Sequence, residues 1–243
     1  MKLVHAATMS TGLILVLGIA MVAPVYIRIP DRPREQLTVM LLFSVVDSEN
    51  GGAWCGNLSS LLKDMNIRAT IFITGKVAEQ HPECVRGFPA YVDIGSQTSS
   101  YVNLTSISDY LAQREEVRRG KEAVDKAGDL DSRLFRAPHG ATDENIYSLL
   151  NRSGIVADFS YKNHYNKYHD GQFMRFNFTT YKGVEHPAEF FLSLSQTGET
   201  IAIIFDESTS VSDIKSLVVI LLGKVRFANA SEVTGLELTI RGR

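Results

Sequence analysis

Apolar runs and amphipathic segments alternate along the chain from Gln36 onward. The first run, LTVMLLFSVV at residues 37–46, is continuously apolar, which is typical of a strand covered on both faces. The segment at 54–67 has its apolar residues at helical spacing. These apolar positions are Trp54, Leu58, Leu61, Leu62 and Met65. The chain therefore opens its folded part with a strand and then a helix.

The same alternation continues to the C-terminus. Further strands are predicted at residues 68–75, 91–94, 133–138, 155–160, 173–178, 199–205 and 224–230. Further helices are predicted at 76–87, 106–128, 142–154, 186–198 and 211–223. Strands that are regularly separated by helices predict a parallel sheet, and this number of repeats favours a closed or nearly closed barrel.

Element boundaries are predicted from breakers and caps. We expect the strand at 91–94 to end at Gly95, where a polar loop begins. Ser106 and Asp109 form a capping pair for the long helix, and Gly128 is placed at its carboxyl-terminal cap. Gly154 closes the helix at 142–154 in the same way.

In a barrel of this kind, the functional site lies at the carboxyl ends of the strands. The segments expected there are 44–47, 95–101, 136–140, 158–160 and 205–207.

The N-terminus differs from the rest of the chain. No Asp, Glu, Lys or Arg occurs between Leu3 and Ile27, which is long enough for one membrane helix of about 20 residues. A cleaved signal peptide is the alternative. We favour an uncleaved anchor because the residues before Pro24 form a poor cleavage site. The predicted organisation is a membrane anchor or signal peptide at 1–30, a linker at 31–37 and a barrel domain at 38–243.

Charge and sequons bear on location. The net charge of −2 gives no electrostatic basis for binding nucleic acid. Arg28, Arg32 and Arg34 follow the apolar segment and would by themselves place the domain in the cytoplasm. Five of the ten asparagines, however, lie in Asn-x-Ser/Thr sequons, which mark surface loops of exported proteins. We therefore expect an extracytoplasmic domain. The predicted glycosylation sites are Asn57, Asn103, Asn151, Asn177 and Asn229.

Several segments resemble the polysaccharide deacetylase (NodB-homology) family, in order, from about Thr38 to Leu236. The resemblance rests on NIRATIFITGKVAEQHPECVRG, on IGSQTSSYVNLTSIS at the family's metal-binding loop, on LFRAPHGATDENIYSLLNRSGI at its Arg-x-Pro-x-Gly motif, and on ETIAIIFDES at the strand that normally ends in Leu-His-Asp. It implies an α/β fold: a distorted (β/α) barrel of the polysaccharide deacetylase type, preceded by one N-terminal transmembrane helix.

The resemblance also implies that the chemistry has been lost. Family members remove acetyl groups from sugars with a divalent metal, which makes water a nucleophile at neutral pH. Ser44 and Val45 stand where the family has its base and ligand aspartates. Gln97 and Tyr101 stand at its two ligand histidines, and Phe205 stands at its acid histidine. Because valine cannot bind a metal and phenylalanine cannot transfer a proton, we predict no catalytic residue, no metal and no cofactor.

Part of the family's framework is retained. The matching residues are Arg136, Pro138, Gly140 and Asp206. In the family the arginine orients the base aspartate, so here Asp47 and Asp206 are its alternative partners. Pro138 and Gly140 are expected to shape their loop.

Acidic side chains near the barrel mouth leave alternatives open. Those that could approach it, together with one histidine, are Asp47, Glu49, Asp93, His139, Asp206 and Glu207. Such a cluster could hold a hard cation such as calcium. A glycosidase pair of Asp47 with Asp206 or Glu207 is a further alternative. We favour carboxylates that are solvated or paired with Arg136.

The segment YKNHYNKYHDG at 161–171 is predicted to be an aromatic loop. Its rings and polar tips suit either a sugar or a packing role over the barrel end. The possible binding residues are Asp47, His139, Tyr161, His164, Tyr165 and Tyr168. A metal held by His164 and His169 is an alternative.

Cys55 and Cys84 lie in helices predicted to be neighbours. In an oxidising compartment we favour one disulfide between them, and two free thiols are the alternative.

Together these features predict a membrane-anchored, extracytoplasmic protein that is catalytically inactive. Its expected role is glycan binding or a structural, accessory function at the cell envelope. Its expected partners are the membrane, through the N-terminal helix, and a cell-surface glycan or other envelope or membrane proteins, with no nucleic acid. One alternative is a divergent metal-dependent carbohydrate deacetylase with relocated ligands and one divalent metal such as zinc. Another is a purely structural partner protein, which would expose an apolar patch.

Overall fold

A computed structural model describes residues 37–46, 49–161, 163–182 and 200–237. The predicted anchor, nearly all of the predicted linker, the predicted helix at 186–198 and Asp47 lie outside the described residues. Within the described ranges, no helix is both long enough and apolar enough to cross a membrane.

Strands and helices alternate as the sequence pattern predicts. The strands are β1 (Thr38–Val45), β2 (Ala69–Ile73), β3 (Val92–Ser96), β4 (Leu134–Phe135), β5 (Ala157–Asp158), β6 (His164–His169), β7 (Gln172–Asn177), β8 (Thr179–Lys182), β9 (Thr200–Asp206) and β10 (Arg226–Ala228). The helices are α1 (Gly51–Asp64), α2 (Gly75–Gln80), α3 (Glu83–Arg86), α4 (Tyr110–Gly128), α5 (Glu144–Arg152), α6 (Val211–Leu221) and α7 (Ala230–Thr234). Short 3₁₀ turns occupy Leu104–Ser106 and Pro138–Gly140.

The strands form one sheet in the order β7-β6-β5-β4-β3-β2-β1-β9-β8, and β10 pairs with the first residues of β1. The pairs are parallel except that β6 runs antiparallel to β5 and β7. Only Phe178 separates β7 from β8, and its N–H donates to the Asn163 carbonyl at 2.9 Å. The chain itself therefore joins the two ends of the sheet. The described strands form a nearly closed barrel, as the sequence predicts.

The barrel has an inner and an outer core, because side chains alternate along each strand. Outward residues such as Leu41, Phe43 and Ile203 pack between the sheet and the helices. The inner core is formed by Met40, Leu42, Phe72, Leu134, Ala157, Phe159, Tyr165, Phe178, Ala202 and Ala230. This alternation fixes which strand residues face the interior at the mouth.

Strand β3 continues two residues further than predicted. Gly95 lies inside the strand and does not break it, and Ser96 is the last residue. A side chain at Gly95 would place its Cβ 2.5 Å from the Phe72 ring. Position 95 therefore requires glycine, because the Phe72 ring of the inner core leaves no space for a side chain there.

The ends of helix α4 also differ from the prediction. Asp109 alone caps the first turn, because its Oδ1 accepts from the Leu111 N–H at 2.9 Å, whereas Ser106 ends the preceding 3₁₀ turn. Gly128 is the last helical residue, and the left-handed cap is Asp129 with φ 48°. Gly154, with φ +77°, follows α5 as predicted.

The predicted aromatic loop at 161–171 is largely a strand. Residues 164–169 form β6 and pair with β7 in an antiparallel hairpin, and β7 corresponds to the strand predicted at 173–178. The predicted helix at 76–87 is divided into α2 and α3 by His81 and Pro82.

A disulfide joins Cys55 in α1 to Cys84 in α3, and their Cα atoms are 5.3 Å apart. The bond closes a segment with a sequence separation of 29 residues. In the chain-entropy model, a loop of this length corresponds to about 3–4 kcal/mol of stabilisation.

Candidate functional site

The mouth of the barrel lies at the carboxyl ends of β1 to β5 and β9. On β1, Ser44 follows the inward-facing Met40 and Leu42 at a spacing of two residues. It is 7% exposed and lies beside Asp206 of β9 in the parallel register. Ser44 and Asp206 therefore both face the inner end of the barrel, where the family resemblance places the base aspartate.

Val45 and Phe205 face the other way. Val45 is fully buried in the outer core, and a side chain at Gly51 of α1 would meet Val45 Cγ1 at 3.2 Å. The Phe205 ring stacks on Phe43 with a centroid distance of 5.4 Å. Trp54 packs edge-on against the same Phe43 ring at 6.0 Å. The two positions that match a metal ligand and the acid histidine thus direct their side chains into the layer between sheet and helices.

Gln97, the first residue after β3, is buried, and its side-chain amide is hydrogen-bonded within the fold. Its Nε2 donates to the Phe72 carbonyl at 2.9 Å. The following loop is fixed from two sides, since Thr98 O accepts from the Gly75 N–H at 3.2 Å and the Ser99 N–H donates to Glu116 O at 2.9 Å. This loop occupies the position of the family's metal-binding loop. The side chain of Gln97, however, hydrogen-bonds the backbone of β2 and so stabilises the fold.

Tyr101 and His139 form a ring pair at the mouth. Their centroids are 5.1 Å apart with an interplanar angle of 54°. Both backbones are left-handed, with φ of 58°. This conformation typically costs a non-glycine residue about 1–3 kcal/mol and persists only where the surroundings impose it. Tyr101 is half-buried and His139 is exposed, so the pair presents aromatic surface to solvent.

Three charged side chains influence the Tyr101 hydroxyl, namely Arg136, Asp206 and Glu207. Burial raises its pKa, Arg136 opposes the shift, and Asp206 and Glu207 add to it. Asp206 Oδ1 accepts from the Ser208 N–H at 3.1 Å. Glu207 Oε1 accepts from the Val46 N–H. The two carboxylates thus hold the loops at the end of the barrel.

Arg136 does not pair with Asp206. Among the described residues it forms no ion pair, and its Nη1 donates to the Phe159 carbonyl at 2.8 Å. Burial lowers its pKa, and the negative charge of Asp158 opposes that shift. Its other predicted partner, Asp47, lies outside the described ranges. Here the arginine therefore holds β5 to the loop after β4.

Asp158 at the end of β5 is fully buried, and its sequence position alone predicts no role for it. It accepts hydrogen bonds from the Ser160 N–H at 3.0 Å and from the Ser160 hydroxyl. The Ser160 Oγ in turn accepts from the Ala137 N–H at 2.7 Å. Burial raises the pKa of Asp158 to about 6, against the lowering effects of Ser160 and Arg136. The sequence signal for this buried carboxylate was the single acidic residue, Asp158, within the apolar strand predicted at 155–160.

The loop that carries His139 rests directly on this network. Pro138 is buried, and Gly140 has φ +68°. A Cβ at Gly140 would lie 2.8 Å from Ser160 O. A residue with a side chain at position 140 would therefore collide with the backbone after β5.

Asp93 lies at the opposite end of the barrel, so its predicted approach to the mouth is wrong. It is the second residue of β3 and accepts from the Ser231 N–H at 2.7 Å and the Ser231 hydroxyl at 3.1 Å. Burial raises its pKa to about 6. Asp93 therefore anchors α7 at the amino end of the strands.

The described residues do not fit a metal centre. No group of three or more His, Cys, Asp or Glu side chains within the described ranges comes together to bind an ion. His164 and His169 stand at opposite ends of β6, about 17 Å apart at about 3.4 Å per residue, so they cannot share a metal. At the positions of the family's ligands, Val45 and Gln97 provide neither an anionic nor an imidazole donor.

The four ring residues of this segment that were predicted to bind, Tyr161, His164, Tyr165 and Tyr168, lie in three different places. Tyr165 is 6% exposed and stacks in the inner core between Phe159 and Phe176, at 5.1 and 5.2 Å. Tyr161 stacks on His164 at 4.3 Å at the end of β6 nearest the mouth. Tyr168 lies at the other end, where its N–H donates to Val156 O at 2.8 Å. Only Tyr161 and His164 are therefore placed to extend the aromatic surface of the mouth.

Comparisons with known proteins agree with this architecture. A sequence model of the family described as polysaccharide deacetylase matches residues 31–157. A polysaccharide deacetylase structure from Mycobacterium smegmatis is 16% identical with a TM-score of 0.63, over 87% of this chain and 96% of its own. A family 4 carbohydrate esterase from Streptomyces lividans, in complex with acetate, is 18% identical with a TM-score of 0.58, over 79% and 91%.

A third similar structure is a pseudoenzyme of carbohydrate esterase family 4 from Bacillus anthracis. It is 12% identical with a TM-score of 0.60, and the match covers 82% of this chain and 66% of the pseudoenzyme. A mutant of that pseudoenzyme, described as having restored enzymatic activity, matches with the same identity and TM-score. At these identities the structural matches establish the fold alone.

Proposed function

Since this chain belongs to the polysaccharide deacetylase family, we propose that it is a catalytically inactive member that binds carbohydrate at the carboxyl end of its barrel. The observation that carries the proposal is the direction of Val45 and Phe205, which pack into the outer core where an enzyme of the family needs a metal ligand and an acid. The chain has nevertheless kept the barrel and a fixed loop after β3.

The Tyr101–His139 pair is the proposed contact surface for a sugar ring. An aromatic ring can cover the apolar face of a pyranose while its polar tip bonds the hydroxyls. The two rings already contact each other in the structure without ligand, with centroids 5.1 Å apart, and a preformed surface lowers the ordering cost of binding. Tyr161 and His164 extend the same surface.

We further propose that the domain works on the outer side of a membrane, tethered by residues 1–30, as a glycan-binding or accessory subunit of the cell envelope. The sequence features behind this are the charge-free apolar segment and the five sequons. The disulfide between Cys55 and Cys84 supports an oxidising compartment.

Calorimetric titration with soluble N-acetylglucosamine oligomers tests the proposal. Tyr101→Ala removes the ring, and we expect affinity to fall about tenfold, the equivalent of about 1.4 kcal/mol. Tyr168→Ala is the matched control, because this tyrosine belongs to the hairpin but lies at the amino end of the barrel. Equal affinities of the two variants would contradict binding at the mouth.

The same preparation separates binding from catalysis. Released acetate is measured after incubation with the oligomers and with added zinc. We expect none, because the described residues supply no ligand set for the metal. Metal-dependent acetate release would overturn the inactive assignment and establish a divergent deacetylase.

A further inference from the structure

The sequons at Asn103 and Asn229 resemble each other in the hydrogen bonds of their side-chain oxygens and can therefore be compared directly. Asn103 Oδ1 accepts from the Thr105 N–H at 3.0 Å and from the Thr105 hydroxyl at 2.8 Å. Asn229 Oδ1 accepts from the Glu232 N–H at 3.0 Å and from the Ser231 hydroxyl at 3.1 Å. In both sequons the acceptor oxygen of the amide is thus bonded to the hydroxyl of the Ser or Thr two residues later.

The amide nitrogens of the pair have opposite surroundings. Asn229 is 4% exposed, and its Nδ2 donates to the Tyr91 carbonyl at 3.1 Å. Asn103 is partly exposed, and within the described ranges no acceptor is bonded to its Nδ2. A bulky substituent can therefore be added to Asn103 without breaking a hydrogen bond of the fold. At Asn229 it would displace Tyr91 and the cap of α7. The prediction of glycosylation at Asn229 consequently conflicts with the folded structure.

We infer that Asn103 carries an N-linked glycan and that Asn229 does not. The transfer joins Asn103 Nδ2 to the anomeric carbon of an oligosaccharide carried on a lipid-linked phosphate. The bond from that carbon to the phosphate oxygen breaks, the lipid phosphate leaves, and Nδ2 releases one proton. This inference rests on the extracytoplasmic location proposed above and not on carbohydrate binding.

The position of Asn103 gives this glycan a functional consequence. Asn103 follows Tyr101 by two residues and precedes Leu104, which is fully buried in an apolar cluster with Val117 of α4 and Phe135 of β4. The attachment point is therefore fixed to the fold immediately beside the Tyr101–His139 pair. A glycan there begins at the rim of the mouth and limits the directions from which a large ligand can approach.

The other three sequons do not offer this comparison. Asn57 and Asn151 are exposed on α1 and α5, and Asn177 is exposed at the end of β7. Their exposure permits a glycan, but none of them adjoins the ring pair in sequence.

Glycopeptide mapping by mass spectrometry tests the inference on the full chain, expressed in a eukaryotic secretory host and purified as the folded fraction. We expect a glycan on Asn103 and an unmodified Asn229. Thr105→Ala removes the acceptor motif but keeps the Thr105 N–H bond to Asn103, so the mass should fall by one glycan. Thr105→Ser is the control, because it retains the motif and should keep the glycan.

Three results would overturn the inference. An unmodified Asn103 beside other occupied sequons would contradict the role of its free amide nitrogen. A glycan on Asn229 in the folded fraction would contradict the role of burial. A chain without any glycan would overturn the inference together with the extracytoplasmic location on which it rests.

Discussion

Rebuilding the family's catalytic residues should destabilise this barrel at two positions and be tolerated at two others. Val45→Asp and Phe205→His place polar groups in the outer core, where the native side chains are 0% and 3% exposed. Ser44→Asp and Gln97→His, by contrast, change residues on the inner side of the mouth.

The expected magnitudes differ several-fold. An unpaired carboxyl group in a dry core costs about 3–5 kcal/mol. Phe205→His keeps a ring of similar size but buries a ring N–H and a ring nitrogen without partners, each at a cost of about 1–3 kcal/mol, and it weakens the stacking on Phe43. Gln97→His loses one hydrogen bond to the Phe72 carbonyl, worth about 1 kcal/mol. Because domains are stable by only about 5–15 kcal/mol, the two outward substitutions together consume much of the total.

Urea unfolding followed by tryptophan fluorescence measures these differences. The chain has a single tryptophan, and Trp54 packs on Phe43 beside Phe205, so its emission reports on the substituted layer. With a denaturant slope of about 2 kcal/mol/M, we expect the midpoint to fall by about 1.5–2.5 M for each outward variant. The inward variants should lose about 0.5 M each. A wild-type midpoint for Val45→Asp, with zinc bound, would refute the outward orientation.

Three further predictions follow from packing, burial and the disulfide. Gly120→Ala should destabilise the chain by several kcal/mol in urea unfolding, since its Cβ would lie 2.2 Å from a backbone carbonyl oxygen of the loop after β3; Gly56→Ala, with nothing within 4 Å, should instead gain about 0.5–1 kcal/mol. The pKa of Asp158 is raised to about 6 in the folded state, so its protonated form stabilises the fold fully below the unfolded pKa of about 4, and this contribution is lost as the pH rises through 6. Because the pKa of Asp93 is raised to about 6 as well, Asp158→Asn should reduce but not abolish the fall in the free energy of unfolding across that range, and an unchanged pH profile would contradict the burial argument. Replacing Cys55 and Cys84 by alanine should cost about 3–4 kcal/mol, measured as a lower thermal midpoint that no longer responds to reductant.

The order of elements could be read from the sequence because it depends on local periodicity. Regular helices between apolar runs predict parallel pairing, and the structure confirms it for β1 to β5. The segment 161–171 was predicted to be a loop because its sequence lacks the alternation of apolar and polar residues that is typical of a strand. Tyr165 faces the inner core while the intervening Asn166 is also buried, under Tyr147 of α5, so no face of β6 is uniformly polar.

The inward or outward direction of the site residues could not be read in the same way. A strand that is buried on both faces has no polar side to set its phase. The run from 37 to 46 is apolar at nearly every position, and only the packing of Met40 and Leu42 inside the barrel shows that Ser44 faces the mouth and Val45 does not. Asp93 was misplaced for a different reason, because the strand was predicted to end before Gly95, whereas it continues to Ser96 and leaves Asp93 near its amino end.

The outward direction of Val45 and Phe205 changes what the proposed loss of catalysis would mean for this chain. A site that loses only its ligands leaves polar gaps at the mouth, whereas here two of the replaced positions contribute apolar contacts to the outer core. Phe205 completes a row of rings with Phe43 and Trp54, and the Trp54 Nε1–H donates to Thr209 O at 3.0 Å just beyond β9. The end of the barrel is thus held by packing where an enzyme of the family is held around a metal. A substitution that restores a polar group at Val45 or Phe205 removes these apolar contacts. At these two positions, a gain in catalytic groups therefore lowers the stability of the fold. The proposed carbohydrate binding through the Tyr101–His139 pair requires neither Val45 nor Phe205 to change.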